Sequence, residues 1–123
     1  MDLSQLSEKE APKAWIPFGD DEVLISYISR QDLKKLLKKA KRSTFISHQK
    51  VEKVDDELAD QLLGEAVVKD WKGFTMKKKS YPCTPENIAF LMLNWSSFSA
   101  FVNQACTDLQ LFAEKEKEEV EKN

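Results

Sequence analysis

Residues 84–112, TPENIAFLMLNWSSFSAFVNQACTDLQLF, decide the fold. Thr84 can cap a helix, Pro85 suits the first helical position because the N–H it lacks has no partner there, and Glu86 adds negative charge to the first turn. From this start Ile88, Leu91, Trp95, Phe98, Val102, Ala105, Leu109 and Phe112 recur at alternating spacings of three and four. That period lines one helix face with apolar side chains and, when sustained, makes a seam of the coiled-coil kind. Asn94-Trp95-Ser96-Ser97 interrupts the helix formers with side chains that compete for backbone hydrogen bonds. The pattern predicts two helices, 85–94 and 97–117, meeting at a bend. Beyond Phe112 the seam positions fall on Glu116 and Glu119, so 113–123 reads as a charged, fraying helical tail.

Upstream of this stretch, Asp55-Asp56-Glu57 supplies capping and dipole-matched acids for a helix reaching about Trp71. Its buried face is Leu58, Ala59, Leu62, Leu63, Ala66, Val67 and Trp71, and Gly73 stops it. Phe74 to Cys83, FTMKKKSYPC, is a lysine-tipped loop able to fold back as a ragged hairpin. Ser29-Arg30-Gln31-Asp32 begins a further helix running to about Arg42. Leu33, Leu36, Leu37 and Ala40 form its apolar stripe, while Lys34, Lys35, Lys38, Lys39, Lys41 and Arg42 fill the other face. Residues 43–54 read as a linker with one short strand. Ala14–Phe18 and Val23–Ile28 flank the turn residues Gly19–Glu22, which is the signature of a β-hairpin, with Pro17 confining its strand to an edge. The expected architecture is α+β and mostly α, an N-terminal β-hairpin followed by about four helices. It forms a single globular domain over 13–112, between a flexible N-terminal arm, 1–12, and the charged tail.

The composition bounds the chemistry. With 123 residues the chain makes one domain, and its three Trp and seven Phe supply large bodies for a core. A net charge of −2 excludes a globally basic protein. The longest mostly apolar run, Ile88–Leu93, is too short to span a bilayer, and the first residues lack the basic-then-apolar layout of a signal peptide, so a cytoplasmic address is expected. Cys83 and Cys106 are isolated thiols that read as small hydrophobes. His48 is the single histidine, which leaves no two-histidine zinc site, and three glycines leave no phosphate-cradling loop. The expectation is a protein without enzymatic activity, cofactor or metal. Residues 30–53 carry nine Lys/Arg against two acids, and 54–66 carry five acids and no base. A nucleic-acid patch on the helix 30–42 is one reading of this asymmetry. A solvated lysine face, paired with the acidic helix that follows, is the favoured one, because no aromatics interleave with the lysines of that helix and the sequence pI is about 5.5.

Asp56-Glu57-Leu58-Ala59, then Gly64 to Gly73 (GEAVVKDWKG), then Tyr81 to Asn87 (YPCTPEN) and Phe98-x-x-Phe101-Val102, follow the basic Asp32-Leu33-Lys34-Lys35-Leu36. On these marks, over 23–112, the chain resembles the small tail assembly chaperones of long-tailed bacteriophages and prophages. The resemblance implies a protein of the bacterial host cytoplasm that binds the tape-measure protein, keeps it soluble and helps recruit tail tube subunits. It also implies absence from the mature virion and, in some members, a longer frameshifted product. A tape measure is a long amphipathic helix, so its chaperone needs an apolar groove rimmed with charge. The side chains expected to bind it are Phe74, Trp95, Phe98, Phe101, Val102 and Phe112, with Trp71 a structural anchor closing its helix against the last one. The same seam allows pairing with a second copy. Rival readings are a nucleic-acid-binding regulator using the helix 30–42 and a minor structural tail protein.

Overall fold

A computed structural model describes residues 11–121, and the side chains of residues 11–115. The expected N-terminal arm lies outside the described residues up to residue 10, as do the last two residues of the charged tail. The elements are β1 (Lys13–Phe18), β2 (Asp21–Ser26), α1 (Arg30–Lys39), β3 (Lys41–Ile46), β4 (Gln49–Val54) and α2 (Asp56–Val67). They continue with β5 (Val68–Lys72), β6 (Thr75–Met76), β7 (Lys79–Ser80), α3 (Pro85–Asn94), α4 (Ser96–Ala105) and α5 (Leu109–Glu121).

These five helices and seven strands correct the expectation of a mostly α fold. At about 47% helix and 31% strand the protein is mixed. The additional strands come from three places. The helix expected over 55–71 ends at Val67, where the β-branched pair Val67-Val68 leaves the helix and Val68–Lys72 joins the sheet. The helix expected to reach Arg42 ends at Lys39, capped by Ala40, whose N–H turns back to the Leu37 carbonyl. The supposed linker, 43–54, is instead the second half of β3 and all of β4.

The main sheet has the order β1-β2-β5, antiparallel throughout. Along β1 and β2 the alternation sends Ala14, Ile16, Val23 and Ile25 inward. In β5 a bulge does the same for residues three apart. Ile25 pairs with Val68 while Leu24 pairs with Asp70, so Lys69 is the extra residue and both Val68 and Trp71 turn to the core. On the outer face Lys72 Nζ sits 4.1 Å from the centre of the Trp15 ring.

The core joins that inner face to α2, α3 and α4, with Phe98, Val102, Cys106, Val67, Val23 and Ile25 essentially sealed from solvent. Gly64 allows α2 and α3 to approach closely, since a Cβ there would meet Met92 Cγ at 2.6 Å. The expected bend at Asn94–Ser97 is present, with Trp95 extended at φ −121°, ψ 92° between α3 and α4. A second break falls where one helix, 97–117, was expected. The Cys106 carbonyl accepts from Ile28 N–H at 2.9 Å, and Asp108 Oδ1 caps a new helix at Leu111 N–H, 3.2 Å away.

Trp71 is the anchor of this assembly, though it sits on a strand rather than at a helix end. Its Nε1–H donates to the Tyr81 carbonyl at 2.6 Å, and its ring stacks on Tyr81 with 8° between planes and 5.8 Å between centroids. Phe74 and Phe98 pack on it as well. Trp71→Ala is therefore expected to cost about 3–5 kcal/mol in urea unfolding. Trp71→Phe should cost less, retaining the ring contacts while losing the hydrogen bond.

Candidate functional site

The residues Tyr81–Asn87 form a clasp rather than a reactive centre. Thr84 Oγ1 accepts from Asn87 N–H at 3.2 Å and caps α3, while Asn87 Nδ2 donates to the Pro82 carbonyl at 2.8 Å. Tyr81 N–H donates to the Phe74 carbonyl at 2.9 Å, closing the β6–β7 turn against the start of α3. This clasp holds a small hairpin beside the α3–α4 junction. Between them opens a cavity of about 230 Å³, with Phe74, Tyr81, Leu91, Trp95, Thr75 and Met76 among its walls.

The structure separates the six side chains expected to bind a partner. Phe98 and Val102 are fully buried, Phe112 and Phe74 nearly so, and Phe101 is half-buried against Phe18 at 4.8 Å between ring centroids. Their burial is why the helical seam is so regular, since it is core. Trp95 differs, being 40% exposed. Phe18 and Phe74 hold its ring at 5.1 and 5.9 Å, and Phe98 stacks on it at 5.9 Å with 16° between planes. It presents one edge to solvent and is fixed from behind.

Sequence reasoning missed Met76 on β6 and Phe90 and Leu93 on α3, all exposed. The signal was present in Ile88–Leu93, which is apolar all the way round, so a helix that buries Ile88, Leu91 and Met92 must show Phe90 and Leu93 to water. The lysines 77–79 at the tip of the β6–β7 hairpin are likewise exposed and give this apolar corner a positive margin.

Elsewhere, Lys34, Lys35, Lys38, Lys39, Lys41 and Arg42 are all exposed, the last two on β3 rather than α1. Arg42 Nε meets Asp55 Oδ2 at 2.7 Å. His48 is exposed in the turn between β3 and β4. Among the described residues no group of three or more His, Cys, Asp and Glu side chains clusters as a metal site, and no helix is long and apolar enough to cross a membrane.

In a comparison with protein families, the model of the YdaY prophage protein matches residues 26–123. The chain belongs to the YdaY prophage protein family. The matched span takes in everything from the end of β2 onward, including the clasp, the Trp95 corner and the α1–β3–β4 segment. Family membership shows a prophage protein, the coarser part of what the resemblance implies, and it does not extend to the tail assembly chaperones as such. Neither the curated proteins nor the solved structures yield a match.

The two thiols lie outside this surface chemistry. Cys106 is sealed in the core and Cys83 is half-buried within the clasp. Burial pushes both up to about 11, with the Asp70 charge adding to the rise at Cys83. Neither is a thiolate at neutral pH, so alkylation by iodoacetamide at pH 7 should be far slower than for an exposed thiol. A thiol pKa raised on folding stabilises the fold only while both states are protonated. Stability should therefore fall as pH rises from about 9 towards 11, which pH-dependent thermal melts will show.

Proposed function

We propose that the protein is a tail assembly chaperone that binds the tape-measure protein through the Trp95 corner. The observation that carries this reading is Trp95 itself, an indole held by three rings from behind and exposed beside an open cavity whose walls mix apolar side chains with Asp21 and Thr75. A large aromatic that is fixed before binding loses little side-chain entropy on contact, which is what makes tryptophan a common anchor of interfaces. Met76 at the cavity adds an adaptable apolar surface, and Phe90 and Leu93 one turn apart extend the apolar face of α3. An amphipathic helix could lay its apolar stripe there with acidic residues towards Lys77, Lys78 and Lys79.

In this reading the protein acts without catalysis in the host cytoplasm, keeps the tape measure soluble, helps bring tail tube subunits to it, and leaves before the virion is complete. Membership of a prophage family and the resemblance of the clasp residues to tail chaperones support it.

The test is co-expression with the tape-measure protein of the same prophage. The tape measure should become soluble and co-purify in bulk. Trp95→Ala should weaken that complex by at least about tenfold when equal amounts of folded protein are compared. Because the ring also packs on Phe18, Phe74 and Phe98, the change should lower the melting temperature without unfolding the protein. Phe98→Ala, in contrast, should unfold the protein rather than reveal a contact. A tape measure that stays insoluble and unbound overturns the reading.

A further inference from the structure

Of the arguments from sequence that weigh against a nucleic-acid role for the basic segment, the structure removes two. The first is that the lysines pair with the acidic helix α2. Only Arg42 does so among the described residues, through Asp55 at the root of β3–β4, while Lys34, Lys35, Lys38 and Lys39 face solvent without an ion pair. The second is the lack of aromatics among the bases. Residues 41–54 form a two-stranded ribbon continuing directly from α1, and Phe45 stands next to its tip, 73% exposed.

This ribbon is a free-standing arm. Every residue from Lys41 to Val54 is exposed except the half-buried Val51, and among the described residues the ribbon pairs with no other strand. Its root is fixed by buried Ala40, whose carbonyl accepts from Asp55 N–H at 2.9 Å. A lone two-stranded ribbon is marginally stable in water, so an arm of this kind is built to be covered. Charge says by what. The arm carries Lys41, Arg42, Lys50 and Lys53 against Glu52 alone, and α1 adds four lysines and Arg30 against Asp32. Since the whole chain is −2, the remainder is net acidic and the excess of positive over negative charge falls on this segment. A second copy of the arm would be repelled.

We propose that α1 and the β3–β4 arm bind double-stranded DNA, with the arm in the major groove and the α1 lysines on the flanking phosphates. A two-stranded ribbon fits a groove about 12 Å wide, whereas the deep, narrow major groove of A-form RNA does not admit it. Strands of six residues reach about 20 Å, enough to carry the tip to the floor. At that tip Phe45 and Ile46 offer apolar contact to thymine methyl groups, and Gln49, the cross-strand partner of Ile46, offers an amide to adenine.

Fluorescence anisotropy of the full chain with a short mixed-sequence duplex tests this. If about five phosphates are neutralised, affinity should fall about 10²–10³-fold between about 50 and 200 mM salt. Lys34→Gln with Lys38→Gln should reduce the log–log salt slope by about 2, while Phe45→Ala should weaken binding about tenfold with the slope unchanged. All three positions are exposed, so melting temperatures should match wild type, and the helix variant decides the matter even if Phe45→Ala loosens the arm. No binding at the lower salt overturns the proposal, as does binding that none of these changes affects. Single strands bound as tightly as duplex would overturn the assignment to the groove. Polyglutamate competing as well as DNA would show a site for acidic protein instead.

Discussion

The Trp71 indole donates to the Tyr81 carbonyl at 2.6 Å and lies flat on the Tyr81 ring, and this contact fixes where the chain re-enters the helical layer. Everything after it depends on that point. The clasp of Thr84, Asn87 and Pro82 sets the first turn of α3, and α3 in turn delivers Trp95 to the corner where Phe18 and Phe74 receive it. Trp71 reaches the core only because the bulge at Lys69 rotates β5 by one residue. A regular strand would put Val68 and Trp71 on opposite faces. Gly73 completes the arrangement at φ +95°, where a Cβ would also collide with the Asp21 carboxylate.

The parts legible in sequence were those written in local chemistry. The first hairpin, the caps Ser29, Asp55 and Thr84, and the break at Asn94–Ser97 all follow from residues acting on their immediate neighbours. What sequence hid depended on residues far away or on unusual turns. The unrecognised hairpin β3–β4 turns through non-glycine residues in the left-handed region, Ser47-His48, where Asn-Gly would have announced the turn, and the ragged hairpin expected over 74–83 turns likewise through Lys77-Lys78. Val68–Lys72 reads as a helical continuation until β2 is beside it. The site was half legible, for the seam mixes core and surface. Periodicity identifies a face that is buried but not what buries it, and Phe98 is covered by the protein's own sheet and helices, while Trp95 is left open.

The surface divides into two regions of different character. The Trp95 corner is apolar and backed by rigid rings, a geometry suited to a helix with a hydrophobic stripe. The α1–β3–β4 segment is basic: α1 lays Leu33 and Leu36 on the core, while the ribbon is exposed and carries Phe45 and Ile46 near its far end. Contacts between the two are not needed for either to form, because among the described residues the hydrogen bonds and ion pairs that tie the arm to the body lie at its root, at Ala40, Asp55 and Arg42. Mutations in one region should thus combine additively with those in the other.

That separation has a consequence for folding and for variation. β2 and β5 pair across an excursion of chain running from Ser26 to Val68, and the arm lies wholly inside it. Closing a flexible loop costs an entropy that grows only with the logarithm of its length, so excising the arm and joining its root would change the closure term by a few tenths of a kcal/mol. The nucleus of the sheet is indifferent to what the excursion carries. The arm is therefore a cassette whose length and tip can change without disturbing the core that presents it.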